Sequence, residues 1–308
     1  MFWLKLWNAV AFGGAGHRPA AALRPGAAAA GSSALDGQPA LLWGLIAGGH
    51  LNVLAAGFGL LGLLALGRDT GAVRPGLPRA LGAGALIGIA ADIKINYALF
   101  GLAVAWVLRR SPAALAAAAL AVLVPGYAVF GLPAVKGVLG RHNADNFYEV
   151  FVYPHQLWRR EIAVIAVLLV IVMAAVLLRC LPPGAPGRPV IRPALAFSVA
   201  WMFFWPYQLP WYETMIICLL VLYPATRLDW LVLMRLSAST ISNMPGNSWF
   251  ARATRLTVVD HYLVLVVTPL VLLAAAAGLI GLCLSGQWNR RQPAAPLTDP
   301  PGVMPTSL

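Results

Sequence analysis

Charged residues are scarce in this chain, and acidic residues are the scarcest of all. Only 10 of the 308 residues are Asp or Glu, and all charged types together make up 10%. A soluble domain carries about 25% charged residues. Apolar residues reach 60%, and the mean hydropathy is +0.77. These values exclude an ordinary soluble domain and indicate a protein of the lipid bilayer, with room for about eight spans of about 20 residues.

Several motifs are also missing. The three cysteines, Cys180, Cys218 and Cys283, form no Cys-x-x-Cys pair, and no helical His-x-x-x-His pair occurs. A disulfide framework and a dedicated zinc site are therefore not predicted, and the cysteines are interpreted as small hydrophobic residues. The formal charge of +12 does not indicate nucleic-acid binding, because the basic residues lie mostly in short loops between apolar runs.

The apolar runs and their breaks predict an all-α, polytopic integral membrane bundle of about eight spans, some of them half-helix hairpins. Residues 1–290 form a single transmembrane domain in this prediction, with a flexible loop at 13–37 and a disordered tail at 291–308. The predicted segments are 39–49, 51–66, 81–91, 97–108, 113–130, 161–178, 193–205, 211–223, 228–241 and 258–284.

Loop charge predicts the orientation of the spans. The positive-inside rule favours a cytoplasmic side with eleven arginines over an outer side with six basic residues. The stretch from Arg79 to Arg110 then begins and ends in the cytoplasm, so it is predicted to be a hairpin with residues 92–96 at its tip. The cytoplasmic set is Arg68, Arg74, Arg79, Arg109, Arg110, Arg179, Arg188, Arg192, Arg227, Arg290 and Arg291, and the outer set is Lys136, Arg141, Arg159, Arg160, Arg252 and Arg255.

Lys94 is the most informative residue of the sequence. It lies in the middle of the apolar stretch 81–108, with Asp92, Asn96 and Tyr97 around it. A charge at membrane depth is expensive and is usually kept for contact with a substrate, an ion or another polar group. Irregular backbone at that depth is tolerated only beside protein or a water-filled cavity. We therefore expect Lys94 to line a polar cavity.

Two acids on the predicted outer side, Asp145 and Glu213, are candidate catalytic bases. Asn146 stands beside the first acid, and Trp211 and Tyr212 precede the second. Aromatic faces stack on sugar rings while amides and acids bind hydroxyl groups, so the mixture suits a sugar. The alternative for the aromatic pair is an interfacial belt.

A Gly-Gly-His break between two apolar stretches adds His50 and Asn52 as further cavity candidates. The run Leu-Leu-Trp-Gly-Leu-Ile-Ala-Gly-Gly-His-Leu-Asn at 41–52, followed by Gly-Ala-Leu-Ile-Gly-Ile-Ala at 84–90 and Asp-Ile-Lys-Ile-Asn-Tyr at 92–97, resembles the GT-C superfamily. The nearest resemblance is to actinobacterial polyprenol-phosphomannose-dependent α-1,6-mannosyltransferases. The residues that this resemblance assigns to the pocket are His50, Asn52, Lys94 and Asn96.

The resemblance implies a multi-pass plasma-membrane enzyme. Such an enzyme transfers a sugar, here mannose, from a polyprenyl-phosphate donor to an envelope glycan or glycolipid acceptor, with inversion. It allows a divalent metal, although no residue spacing indicates one. The family's aspartate in the first outer loop has no counterpart here, and Asn52 stands where an acid is usual. We therefore expect a chain that lacks the family's first spans and is weakly active.

Two other classes fit the same sequence. Broken helices with polar residues at membrane depth are also typical of a transporter or flippase for a lipid-linked or small solute. A non-catalytic membrane scaffold is the third class, because the expected catalytic loop is absent. Fold resemblance alone does not choose among them.

Overall fold

A computed structural model describes residues 51–66, 76–107, 159–184, 189–206, 209–243 and 262–288, together with the single positions 116, 120, 124 and 258. Every regular element in these ranges is helical, which agrees with the all-α prediction. The predicted segments 39–49 and 113–130, the loop at 13–37 and the tail lie outside the described residues, apart from the three single positions within 113–130.

The described helices follow the predicted apolar runs closely. In chain order they are α1 (Asn52–Ala65), α2 (Leu77–Ile93), a 3-10 turn (Ile95–Tyr97), α3 (Ala98–Val107), α4 (Arg159–Cys180), α5 (Ile191–Phe204), a second 3-10 turn (Pro210–Glu213), α6 (Thr214–Leu220), α7 (Leu228–Asn243), a π-helical turn (Leu263–Val267) and α8 (Thr268–Ser285).

Helices α1 and α2 pack side by side, and small residues make the contact possible. A methyl group built on Gly62 would lie 2.7 Å from Ile87 Cγ1, whereas one on Gly59 would lie 2.8 Å from Phe100 Cδ2. Gly62 therefore faces α2, whereas Gly59 faces α3. Helix α3 folds back on α2, because a methyl group on Gly101 would meet Ile87 Cγ2 at 3.5 Å.

Proline explains two of the irregular points. Trp205 and Leu209 are both extended, with ψ of 137° and 149°, and each precedes a proline. The proline ring disfavours the helical conformation for the residue before it, so α5 stops and the chain restarts at Pro210. Pro269 follows the π-helical turn. It has no N–H to donate to residue 265, which accounts for the widened turn.

Two helices within the described ranges are long and apolar enough to cross a membrane. They are Ile162–Cys180, with a mean hydropathy of 3.0, and Leu263–Ser285, with 2.7. Only 28% and 33% of these hydrophobic windows are buried inside the protein, so most of their surface faces outward. Length and composition thus indicate membrane association. Of the shorter apolar helices, those at 52–65 and 95–107 precede the first long helix, and the one at 191–204 lies between the two.

At one end of the bundle, hydrogen bonds link chain segments that precede or follow its helices. The Tyr223 hydroxyl donates to the Pro182 carbonyl, and Arg227 donates its backbone N–H to the Trp288 carbonyl at 3.0 Å. Arg192 also donates to the Arg179 carbonyl at 3.3 Å.

Candidate functional site: a joint between two helix breaks

The two interrupted helices predicted from the sequence meet each other. The first break lies at Lys94, which is extended with φ −150° and ψ 110°, between α2 and the following 3-10 turn. The second break lies between Trp205, where α5 ends, and the 3-10 turn Pro210–Glu213. The Lys94 ammonium lies 5.3 Å from the centroid of the Tyr212 ring, and the Asn96 amide donates to Met215 Sδ at 3.6 Å. We call this meeting point the joint.

Aromatic side chains form one wall of the joint. The Tyr212 ring lies 6.5 Å from the Trp211 ring and 5.9 Å from the Trp201 ring, centroid to centroid. All three are half-buried, as is Lys94. A cation over an aromatic face gains about 0.5–1 kcal/mol at exposed sites and more where water is excluded. Tyr212 therefore contacts the cation of the first break, and Trp211 packs against Tyr212.

A buried ion pair lies directly behind the aromatic pair. Glu213 Oε1 lies 2.6 Å from Arg235 Nε, and the two side chains are 0% and 1% exposed. The Arg235 guanidinium carbon also lies 5.4 Å from the centroid of Phe203. Among the described residues, neither terminal guanidinium nitrogen has a hydrogen-bond partner. The pair connects the second break to α7 and neutralises both charges.

Glu213 is placed differently from its sequence-based interpretation. We expected an outer acid free to accept a proton, but its side chain is fully buried and held by a cation. A fully buried carboxylate held by a guanidinium offers no open face to a substrate. Its immediate structural role is to hold Trp211 and Tyr212 in place, helped by the Thr214 hydroxyl, which donates to the Trp211 carbonyl at 2.7 Å.

Asn52 borders the joint from α1. Its backbone carbonyl accepts a hydrogen bond from the Tyr97 hydroxyl at 3.1 Å. The Asn52 side chain is 0% exposed, yet neither its amide nitrogen nor its oxygen has a hydrogen-bond partner within the described ranges. An unpaired buried amide costs free energy, so this side chain retains hydrogen-bonding capacity that a ligand or a neighbouring segment can use.

The structure thus brings together most of the candidate residues that it describes. Seven of them contact the joint or the ion pair behind it: Asn52, Lys94, Asn96, Tyr97, Trp211, Tyr212 and Glu213. Asp92 does not join them, since it is exposed on α2. His50, Asp145 and Asn146 lie outside the described residues. In the described part of the chain, no group of three or more His, Cys, Asp or Glu side chains could hold a metal ion.

Arg235 is the site residue that sequence reasoning missed. It is an arginine inside the apolar run 228–241, which is the same signal that singled out Lys94. Its partner could not be identified from spacing, because Glu213 lies on a different element. Comparisons with known proteins offer no further guide: no protein family, curated protein or solved structure matches this chain.

Proposed function

We propose that the protein is a multi-pass plasma-membrane glycosyltransferase of the GT-C kind, which binds a polyprenyl-phosphate sugar at the joint. The observation that carries the proposal is the position of Lys94. Its ammonium lies half-buried between two helix breaks and against the Tyr212 ring, where an anionic phosphate and a sugar ring could be contacted together. A polyprenyl-phosphate sugar consists of an apolar tail, which lies in the bilayer, followed by a phosphate and then a sugar. Its phosphate and its sugar are therefore neighbours.

Each residue of the joint has a role in this proposal. Lys94 contacts the phosphate and stabilises the charge that develops as the polyprenyl phosphate leaves. Asn96 and the unpaired amide of Asn52 bind sugar hydroxyls, and Trp211 and Tyr212 contact the apolar face of the sugar ring. We propose mannose as the sugar, on the sequence resemblance alone.

The reaction is an inverting transfer. A base takes the proton of an acceptor hydroxyl, the hydroxyl oxygen attacks the anomeric carbon, and the bond from that carbon to the phosphate oxygen breaks. Asp145 is the better candidate for the base, because the Glu213 carboxylate is occupied by Arg235. The acceptor is an envelope glycan or glycolipid.

Binding of the donor tests the joint directly. Purified protein in proteoliposomes is titrated with polyprenyl-phosphomannose, and Lys94→Gln is expected to weaken binding about tenfold or more, as loss of a charge-assisted contact predicts. Tyr212→Leu is expected to weaken it as well. Arg79→Gln, which changes an exposed cation at the other end of α2, is the matched control. Equal affinity for Lys94→Gln and the control would refute the proposed site.

A transporter or flippase is the second candidate, and the meeting of two helix breaks favours it specifically. Substrate sites of many transporters lie where discontinuous helices face each other. The two functions differ in product. A transferase releases polyprenyl phosphate when given donor and a mannosidic acceptor, and Asp145→Asn abolishes this release. A flippase moves intact donor between leaflets without acceptor. A scaffold does neither and binds no donor.

A further inference from the structure

Three arginines lie at one end of the bundle, and within the described ranges none of them forms an ion pair. Arg179 is in the last turn of α4, Arg192 is in the first turn of α5, and Arg227 directly precedes α7. Arg192 donates to the Arg179 carbonyl at 3.3 Å, and Arg227 donates to the Gln287 side-chain oxygen at 3.2 Å. Both acceptors are neutral, so the three positive charges stay uncompensated. We call these three residues the arginine end.

Packing between the helix ends brings these arginines together. A methyl group built on Gly184, in the segment that follows α4, would lie 3.5 Å from Tyr223 Cε2 and 3.8 Å from Arg192 Cβ. Tyr223 stands only four residues before Arg227 in the chain. The backbone N–H of Arg227 donates to the carbonyl of Trp288, a residue that is only 3% exposed. The segments that carry the arginines therefore meet at the same end of the bundle.

The sequence of these segments adds to the positive charge. Residues 179–192, 223–229 and 285–291 together contain six arginines and a single acid, Asp229. The Asp229 carboxylate accepts a hydrogen bond from the Thr226 backbone N–H at 3.2 Å, so it serves the start of α7. A strongly positive surface without acids of its own attracts an anionic partner.

An exposed apolar stripe on α4 leads directly to Arg179. Leu168, Val172 and Ala175 precede Arg179 at successive spacings of four, three and four residues, which places all four on one helix face. Leu168 is 57% exposed and Val172 is 56% exposed, and the other two are exposed as well. The stripe is about 16 Å long at 1.5 Å per residue, which is close to half of a hydrocarbon core about 30 Å thick. An acyl chain beside the stripe therefore has its headgroup at the level of Arg179.

We propose that the arginine end binds the headgroup phosphate of an anionic phospholipid, whose acyl chains lie along the exposed stripe of α4. The three cations supply the counter-charge of the headgroup, and the stripe supplies an apolar surface for the chains. A soluble anion would use only the cations. The charge bias predicts the cytoplasmic side for this end, where the leaflet carries the negative surface potential. The inference requires a bundle that lies in a membrane, as the two long apolar helices indicate, but no activity at the joint.

Lipid titration of the purified protein tests the proposal. In a neutral detergent, the protein is titrated with phosphatidylglycerol or with phosphatidylcholine that has the same acyl chains, and native mass spectrometry counts the bound lipids. Phosphatidylglycerol is expected to bind about tenfold more tightly or better, because each arginine near the headgroup adds to its attraction. Inorganic phosphate at the same concentration should not displace it. Equal affinities for the two lipids, or displacement by phosphate alone, would overturn the proposal.

Single substitutions locate the lipid. Arg179→Gln and Arg227→Gln change exposed side chains, and each is expected to weaken phosphatidylglycerol binding about fivefold while phosphatidylcholine binding stays the same. Arg179→Lys keeps the charge and should keep the affinity. Arg79→Gln, which changes an exposed arginine on α2, is the matched control and should bind as the wild type does. Lys94→Gln should also retain the preference for phosphatidylglycerol. Loss of that preference in Lys94→Gln but not in the two variants of the arginine end would place the lipid at the joint and contradict the assignment.

Discussion

At the scale of single residues, the Glu213–Arg235 pair is the most consequential contact that the structure describes. Each charge is removed from water almost completely, and each is tolerated only because the other is present. Such a pair can cost more to desolvate than its attraction returns, so its presence is weak evidence for added stability. Its effect is specific: it fixes the second helix break against α7 and thereby positions the aromatic wall of the joint.

Removing one partner of the pair should be severe. Arg235→Met leaves a buried carboxylate without a cation, and we expect a loss of about 3–5 kcal/mol in the free energy of unfolding. The measurement is unfolding in mixed micelles with an increasing fraction of SDS. Arg227→Met, which removes an exposed arginine hydrogen-bonded to Gln287, is the control and should change stability by less than about 0.5 kcal/mol.

The double variant separates a charge effect from a packing effect. Glu213→Gln combined with Arg235→Met removes both charges, and we expect it to recover most of the stability that Arg235→Met loses. If the double variant is as unstable as the single variant, the methylenes and the Phe203 contact of Arg235 matter more than its charge.

The residues of the joint could be predicted only one by one. Lys94 and Tyr212 each stood out in the sequence, because a cation or an aromatic pair beside a broken apolar run is rare. Their contact could not be predicted, since it depends on how two distant breaks pack against each other. The same limit applies to the pairing of Glu213 with Arg235, which local spacing does not encode.

At the scale of secondary-structure elements, small residues determine how closely α1 and α2 approach. A methyl group on Gly62 would lie 2.7 Å from Ile87 Cγ1 and 3.1 Å from the Ala83 carbonyl oxygen. A backbone atom cannot move aside as a flexible side chain can. Close approach through small residues is a usual way to pack helices where lipid supplies no hydrophobic drive between them.

Gly62→Ala should therefore destabilise the α1–α2 contact, by about 1–3 kcal/mol from overpacking. Gly57→Ala is a matched control in the same helix, because a methyl group there meets nothing within 4 Å. It should be neutral or stabilising by up to about 1 kcal/mol, since alanine favours a helix over glycine. The same SDS unfolding assay compares them, and equal stabilities would show that α1 and α2 do not pack as closely as described.

Helix positions were the most predictable part of the fold. The apolar runs at 193–205 and 228–241 correspond to α5, Ile191–Phe204, and α7, Leu228–Asn243, within two residues at each end. Prolines account for the accuracy at the second break, because they act on their own neighbours. The π-helical turn before Pro269 was not predicted: proline indicates a disturbance but not its form.

At the scale of the whole molecule, the open question with the clearest measurement is orientation. The charge bias predicts that residues 74 and 109 face the cytoplasm and that residue 145 faces outward. In a protein whose three native cysteines are replaced by serine, an impermeant maleimide added outside should label Asp145→Cys and spare Arg74→Cys and Arg109→Cys. Labelling of all three from outside would exclude the hairpin formed by the stretch from 79 to 110.

The buried pair also constrains how the protein is made. A helix of 16 residues that carries an arginine near its middle, such as α7, is unfavourable to release alone into lipid, where arginine at a helix centre costs about 2.5–3.5 kcal/mol. Glu213 leaves the ribosome 22 residues earlier than Arg235, so the acid is already present when the arginine arrives. Segments 210–220 and 228–243 would then enter the bilayer together as a neutralised hairpin, with the charge pair formed before the rest of the bundle closes around it.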